Sequence, residues 1–220
     1  EYMKLSDWQT VKGNRPLVPV LWPLQFESML AAQTSASERM TLAQFVDLIR
    51  DRATEAGLKN PYIVGQEISK TFNHQDKLEG AGFDAMSDYA GGYGGTVSSR
   101  DEGPGYASAT EAMINTWSNN FLSSTIDFVP PMAIGSYAWP RAKGEQWWHY
   151  QNPLPGELTS RVQKTFDFIS DNIENCKAQV VFSYSWNEHS EGGAICPTMG
   201  ESPDYTPDTR WIDEVAEGLK

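Results

Sequence analysis

Gln179-Val180-Val181-Phe182-Ser183-Tyr184-Ser185-Trp186 runs directly into Asn187-Glu188-His189-Ser190-Glu191-Gly192-Gly193. The first eight residues are the most strand-like run in the chain, rich in β-branched and aromatic side chains. The next seven bring two carboxylates, an amide and an imidazole to the point where that strand ends. Chemically capable side chains at the C-terminal end of a buried strand are typical of α/β sheets whose loops carry a site. What flanks this segment decides between the α/β architectures.

Upstream, apolar residues Leu158, Val162, Phe166, Ile169 and Ile173 recur at helical spacing and predict a helix over Leu158–Asn175. Downstream, Pro207 suits the first helical position, with Trp211, Val215 and Leu219 forming the stripe of a closing helix. Further out, Phe128–Gly135, Phe83–Tyr89, Pro61–Glu67 and Arg15–Trp22 read as strands. Met113, Ile114, Trp117 and Phe121 predict a helix over Thr110–Phe121. Another is predicted over Thr41–Ala56, where Thr41 and Gln44 are spaced as a capping box and Gly57 is the stop. Five strand-then-helix units in alternation imply a parallel sheet with helical crossovers.

An open doubly wound sheet and a (β/α)8 barrel both satisfy that pattern. No GxGxxG or GxxxxGK[ST] follows any strand, so the open sheet lacks its usual nucleotide-binding signature. A (β/α)8 TIM barrel takes about 250 residues. The expected fold is therefore an incomplete barrel: residues 1–220 form a single domain holding about five C-terminal βα units, and the first three units are missing. The start at Glu1-Tyr2, without Met, agrees with a chain entered mid-domain.

Composition narrows the function. With 220 residues and a net charge of −12, the balance is opposite to the clustered positive charge that phosphate binding draws on, so no nucleic-acid partner is expected. No run of about eighteen apolar residues is present to span a bilayer. Aromatic residues make up 12 %, and many Trp and Tyr stand among Gly, Pro and Ser, which suggests a binding surface on loops. Cys176 and Cys196 flank the last strand at opposite ends, so two thiols are expected rather than a disulfide. Asp204, Asp208 and Asp213 do not match the EF-hand spacing, and neither a metal nor a cofactor is expected. Oligomeric state and compartment stay open.

Glycosidic cleavage needs paired carboxyl groups for proton transfer at an oxocarbenium-like transition state. Glu188 and Glu191 are such a pair, on one side of the chain if it turns after Glu188, and Gly192-Gly193 permits that turn. Trp186-Asn187-Glu188-His189-Ser190-Glu191-Gly192 resembles the W-N-E-(W/H)-x-E-G signature of the family 99 glycoside hydrolases, of the related family 71 glucanases, and of bacterial polysaccharide-biosynthesis proteins with the same barrel. The Gly13-Asn14-Arg15-Pro16 turn before a strand, the Gly82–Tyr89 strand, the Val129-Pro130 strand reaching Gly135 and the closing helix come in the family's order.

The resemblance implies that Glu188 is a base deprotonating the substrate's own 2-hydroxyl, which attacks the anomeric carbon, and that Glu191 protonates the leaving group. Family 71 enzymes invert, so stereochemistry is open. Cys196-Pro197 stands where the family has Glu-Pro, and His189 where many members have Trp. A barrel with its acid/base in an N-E pair after the fourth strand is excluded, because the 32 residues after Glu188 cannot hold three more βα units of about 30 residues each.

Around the pair, Trp186, Asn187 and His189 are candidate carbohydrate-binding residues, although Trp186 fits a core position equally and His189 a structural hydrogen bond. Gln66 and Glu67, and Asp88 and Tyr89, end the strands at Pro61–Glu67 and Phe83–Tyr89 and are candidates on the same grounds, with plain turn chemistry as the alternative. Tyr137, Trp139 and Trp148 belong to an aromatic loop suited to stacking on pyranose rings or to packing against the barrel. The expected function is hydrolysis of O-glycosidic bonds in a polysaccharide or complex glycan. The competing functions are a glycosyltransferase-like biosynthetic role and non-catalytic glycan binding.

Overall fold

In order along the chain the elements are a 3-10 helix (Tyr2–Lys4), β1 (Thr10–Val11), β2 (Arg15–Leu21), α1 (Pro23–Gln33), α2 (Leu42–Glu55), β3 (Tyr62–Glu67), α3 (Gln75–Gly80), β4 (Ala85–Asp88), β5 (Gly95–Val97), α4 (Tyr106–Asn120), β6 (Asp127–Phe128), β7 (Pro131–Ala133), β8 (Trp147–His149), α5 (Glu157–Asp171), β9 (Phe182–Tyr184) and α6 (Arg210–Gly218). The computed structural model describes residues 2–33, 35, 40–67, 74–89, 95–97, 103–122, 124–135, 147–186, 193–198 and 206–220. Parallel strands joined through helices make this an α/β fold. The chain divides into two compact units, one of Glu1–Tyr89, Asn120–Pro130 and Asn172–Val180, the other of Ala90–Asn119, Pro131–Asp171 and Val181–Lys220.

The first unit is built on a sheet of order β1-β2-β3-β4-β6, parallel except for β1. Strand β3, with Tyr62 to Gly65 buried, is the near-continuous apolar run expected of a strand covered on both faces. Strand β2 tolerates Pro19 because of where its missing N–H points. The Leu17 amide donates outward to the Gln9 carbonyl, and the Trp8 indole donates to the Leu17 carbonyl. Pro19, two residues on, faces the same outer edge and removes no bond to β3. Helix α2 begins as its sequence dictates: the Gln44 amide donates to the Thr41 hydroxyl at 3.2 Å, and the Thr41 amide donates to the Gln44 side chain at 2.8 Å.

The N-terminal ends of these strands are tied by charge. The Arg15 and Arg50 guanidiniums donate to opposite oxygens of Asp84 at 2.6 and 2.9 Å, and the Ile63 amide also donates to it. Asp127 accepts from the Tyr62 hydroxyl at 3.0 Å and from the Lys177 ammonium at 2.7 Å.

The second unit pairs β7 with β9 in parallel and β5 with β8 antiparallel. Its core gathers Tyr106, Ala109, Met132, Ile134, Leu158 and Val162, with Trp211 and Val215 packed against them. Gly218 permits the close approach of α6 to α5, since a Cβ there would lie 2.6 Å from the Val162 Cβ. Among the described residues no helix is long and apolar enough to cross a membrane.

Several boundaries differ from expectation. The segment Phe128–Gly135 is not one strand: β6 pairs with β4 and β7 with β9, the break falling at Val129-Pro130. Strict strand–helix alternation also fails. Helix α1 follows β2 ahead of α2, and β5–β8 is an antiparallel pair between parallel elements. The helix predicted from Thr110 starts at Tyr106, and the one predicted to Asn175 stops at Asp171. The closing helix starts at Arg210 rather than Pro207, because Asp208 forms a bridge with Thr198 and holds residues 207–208 out of the helix. The strand predicted over Gln179–Trp186 is ordered as a strand only at Phe182–Tyr184, Gln179 having a left-handed φ of 52°.

Cys176 and Cys196 are both free of disulfide bonds, Cys176 being buried and Cys196 half-buried. Burial, aided by Asp127, pushes the Cys176 thiol up to about 12. Titration of native protein with a thiol reagent at pH 8 is expected to consume one equivalent quickly, from Cys196. Cys176 reacts only after unfolding; two fast equivalents would contradict its burial.

Burial first, and then Asp127, also raises the Tyr62 phenol well above its ordinary range. The folded chain therefore keeps both protons, while unfolded Cys and Tyr lose theirs above about 8.5 and 10. Stability from these groups is intact at neutral pH and falls as pH rises, each proton contributing at most about 1.4 kcal/mol per pH unit before solvent screening. Urea midpoints should be level from pH 7 to 8 and decline above pH 9. Tyr62→Phe should lessen the slope above pH 10, where Tyr106 and Cys176 contribute the rest, and an unchanged slope there would exclude Tyr62 as a source.

Candidate functional site

In the second unit, the site begins where β9 ends. The Ser185 amide donates to the Gly193 carbonyl at 2.8 Å, the Ile195 amide to the Ser185 carbonyl at 3.1 Å, and the Cys196 amide to the Trp186 carbonyl at 2.9 Å. The chain thus returns beside the end of β9 at residues 193–196, and these bonds form a neck on either side of residues 187–192, which lie outside the described residues. Gly193 fits there because it has no side chain. A Cβ at this position would lie 3.2 Å from the Tyr184 ring and 3.6 Å from the Gly135 carbonyl. Trp186 stands at the neck with 58 % of its surface exposed.

Behind the neck is a buried polar group. Arg161, 1 % exposed, donates from Nε to the Thr110 hydroxyl at 2.8 Å and from Nη1 to the Ala133 carbonyl at 2.6 Å and the Tyr150 hydroxyl at 2.9 Å. Its guanidinium carbon lies 3.6 Å from the Tyr106 ring centroid and 4.8 Å from that of Tyr150. The Tyr106 hydroxyl donates to the Ile134 carbonyl at 2.7 Å, and burial raises this phenol far above its ordinary range despite the neighbouring cation.

In the first unit, a second cluster forms at the C-terminal ends of β2, β3 and β4. Glu67, buried, accepts from the Leu24 amide at 3.0 Å and so meets the positive N-terminus of α1. Trp22 closes β2 with a left-handed φ of 51°, its amide donating to the Gln66 carbonyl at 2.7 Å. Its ring meets Tyr89 edge-on at 6.2 Å, and the Tyr89 amide donates to the Glu67 carbonyl at 2.8 Å. Asp88 is buried beside Ser87, whose hydroxyl donates to the Asp88 carbonyl. Among the described residues the Trp22 indole N–H is buried with no acceptor. A strained backbone, a spare donor and two carboxylates in one place fit recognition of a hydroxyl-bearing ligand.

Gln66, Glu67, Asp88 and Tyr89 thus come together at one sheet end, and Trp186 belongs to the loop neck of the other unit. Asn187, Glu188, His189 and Glu191, like Tyr137 and Trp139, lie outside the described residues; Trp148 is described only as a backbone position in β8. Trp22 and Arg161 were missed by sequence reasoning. Trp22-Pro23 did carry a signal, since a residue before proline resists the helical conformation and proline favours the first helical position. Arg161 reads from sequence as an ordinary polar position of an amphipathic helix.

No family model and no curated protein matches the chain. Two solved structures of the GH99 endo-α-mannosidase from Bacteroides thetaiotaomicron, one in complex with BIS-TRIS-propane, are similar to it at 15 % and 13 % sequence identity and TM-scores of 0.43 and 0.42. Each similarity covers 94 % of this chain and 57 % of the other, so the chain spans a little over half the length of those proteins.

Proposed function

We propose that the chain is part of a (β/α)8-barrel glycoside hydrolase that cleaves O-glycosidic bonds in a polysaccharide or complex glycan, with Glu188 and Glu191 as its catalytic pair. The observation that carries this reading is the hydrogen-bonded neck at Ser185, Trp186, Gly193, Ile195 and Cys196, which ties both ends of the glutamate-bearing segment to the C-terminal end of a parallel strand. In barrel enzymes that end is the catalytic one.

In the proposed reaction Glu188 accepts the proton of the sugar's 2-hydroxyl as that oxygen attacks the anomeric carbon, and Glu191 gives its proton to the departing glycosidic oxygen, leaving a 1,2-anhydro sugar; water that gives a proton to Glu191 then attacks the anomeric carbon, and the 2-oxygen takes its proton back from Glu188 as the ring opens. The exposed Trp186 offers a flat apolar face to the sugar ring. Gln66, Glu67, Asp88 and Tyr89 are proposed to bind hydroxyl groups, and Asn187, His189, Tyr137, Trp139 and Trp148 complete the proposed carbohydrate-binding set.

The test is hydrolysis of a panel of glucans, mannans and branched glycans by the wild-type chain and by Glu188→Gln and Glu191→Gln. Activity in the wild type that both substitutions abolish supports the assignment. Glycan binding without hydrolysis would replace it with a non-catalytic lectin-like role.

A further inference from the structure

Arg161 is a cation in a place where an apolar side chain would cost less. It is 1 % exposed, and no carboxylate is among its hydrogen-bond partners within the described residues. Buried charges are ordinarily paired, and an unpaired one is costly to maintain. Its bonds show what it holds in return. Nη1 fixes the Ala133 carbonyl, the last of β7, while the Tyr106 hydroxyl fixes the next carbonyl, that of Ile134. The Ile134 amide in turn donates to the Tyr184 carbonyl, the last of β9, at 2.8 Å. The following amide, Ser185, donates to Gly193 and closes the loop neck, where Gly193 also abuts the Tyr184 ring and approaches the Gly135 carbonyl. An unbroken series of hydrogen bonds and two peptide links, Ala133–Ile134 and Tyr184–Ser185, therefore joins the buried guanidinium and phenol to the pairing of Ser185 with Gly193.

We infer that Arg161 and Tyr106 are positioning residues that set the end of β7 and, through Ile134 and Tyr184, the neck at Ser185, Gly193, Ile195 and Cys196; their effect on catalysis rests on the hydrolase reading above. Two features separate this from general core packing. The cation and the phenol each spend a bond on one of two successive carbonyls at a strand terminus. Their rings and guanidinium also stack, so that movement of either displaces both. Small misplacement of a catalytic group lowers rate steeply without a matching loss of binding.

Tyr106→Phe keeps the ring over Arg161 and deletes only the bond to Ile134; Arg161→Lys keeps the charge and loses the fork. Both are made in the full 220-residue chain and compared with Val46→Ala, a core change in the first unit. Amide deuterium exchange at Ser185, Ile195 and Cys196 should rise at least about tenfold in Tyr106→Phe while Ile63 and Tyr89 keep wild-type rates, and Val46→Ala should not reproduce that pattern. On a hydrolysed glycan, kcat should fall about 10- to 100-fold with KM within about twofold. Wild-type exchange at the neck in Tyr106→Phe overturns the inference, and so does a rise spread evenly over both units. If Arg161→Lys fails to fold, Tyr106→Phe decides alone. Local loosening of the neck in a chain that hydrolyses no glycan supports the mechanical coupling and removes the hydrolase reading instead.

Discussion

Glu188→Gln is expected to lower kcat/KM for a cognate glycan by at least about a thousandfold, equivalent to about 4 kcal/mol of transition-state stabilisation at 1.36 kcal/mol per tenfold. Glutamine keeps the size and one acceptor of glutamate but cannot take a proton, so binding should survive and the loss should fall on kcat. Glu191→Gln should match it on a natural glycan, where the departing oxygen needs a proton. The two should part on an aryl glycoside whose dinitrophenolate leaves unaided. There Glu191→Gln should recover most of the rate, while Glu188→Gln should not, because the 2-hydroxyl still needs its base. Equal loss on both substrates would break the division of roles, and wild-type rates in both variants would end the assignment.

The second large effect is on stability. Asp84→Ala should destabilise the chain by about 3 kcal/mol, a substantial share of the 5–15 kcal/mol by which domains are stable. Asp84 receives two guanidiniums and one backbone amide, and all three ionic side chains are mostly buried, at 18, 27 and 21 % exposure for Asp84, Arg15 and Arg50. Removing the carboxylate leaves two half-buried cations facing each other and the Ile63 amide without its side-chain acceptor. Arg15 starts β2, Arg50 lies on α2, Ile63 is in β3 and Asp84 precedes β4, so the loss loosens four elements together. For a chain of this size the midpoint of thermal unfolding should fall by about 6–12 °C. A fall of less than about 2 °C would show that the network is as weak as an exposed pair.

Both effects show what sequence reveals and what it leaves open. Strand β3 was legible because a parallel strand covered on both faces must be almost wholly apolar, as in Tyr62-Ile63-Val64, and β2 because its run Leu17-Val18-Pro19-Val20-Leu21 is apolar although its far end is partly exposed. Helix α2 was legible because Thr41 and Gln44 satisfy its first amides locally. The break between β6 and β7 was not legible, since Val129-Pro130-Pro131 is as apolar as a strand and only the pairing partners distinguish its two sides. Helix α1 escaped because Leu24, Phe26, Met29 and Leu30 do not fall on one stripe. Of the proposed site, Glu188 and Glu191 are conspicuous in the sequence, as paired carboxylates after a strand-like run. Asp84 and Arg161 are not, since their importance arises from partners 21 to 69 and 11 to 55 residues away in the chain.

The neck beneath residues 187–192 also bears on how specificity can evolve. Once Ser185 is bonded to Gly193 and Trp186 to Cys196, the ends of the loop are already together. Doubling the length between them adds only about 0.6 kcal/mol of closure entropy. Length added between Trp186 and Gly193 is therefore inexpensive in closure entropy, whereas a side chain at Gly193 would require the Tyr184 ring to give way. On the glycosidase reading proposed above, laboratory diversification should vary the segment between these two residues and keep Ser185, Gly193 and Tyr184.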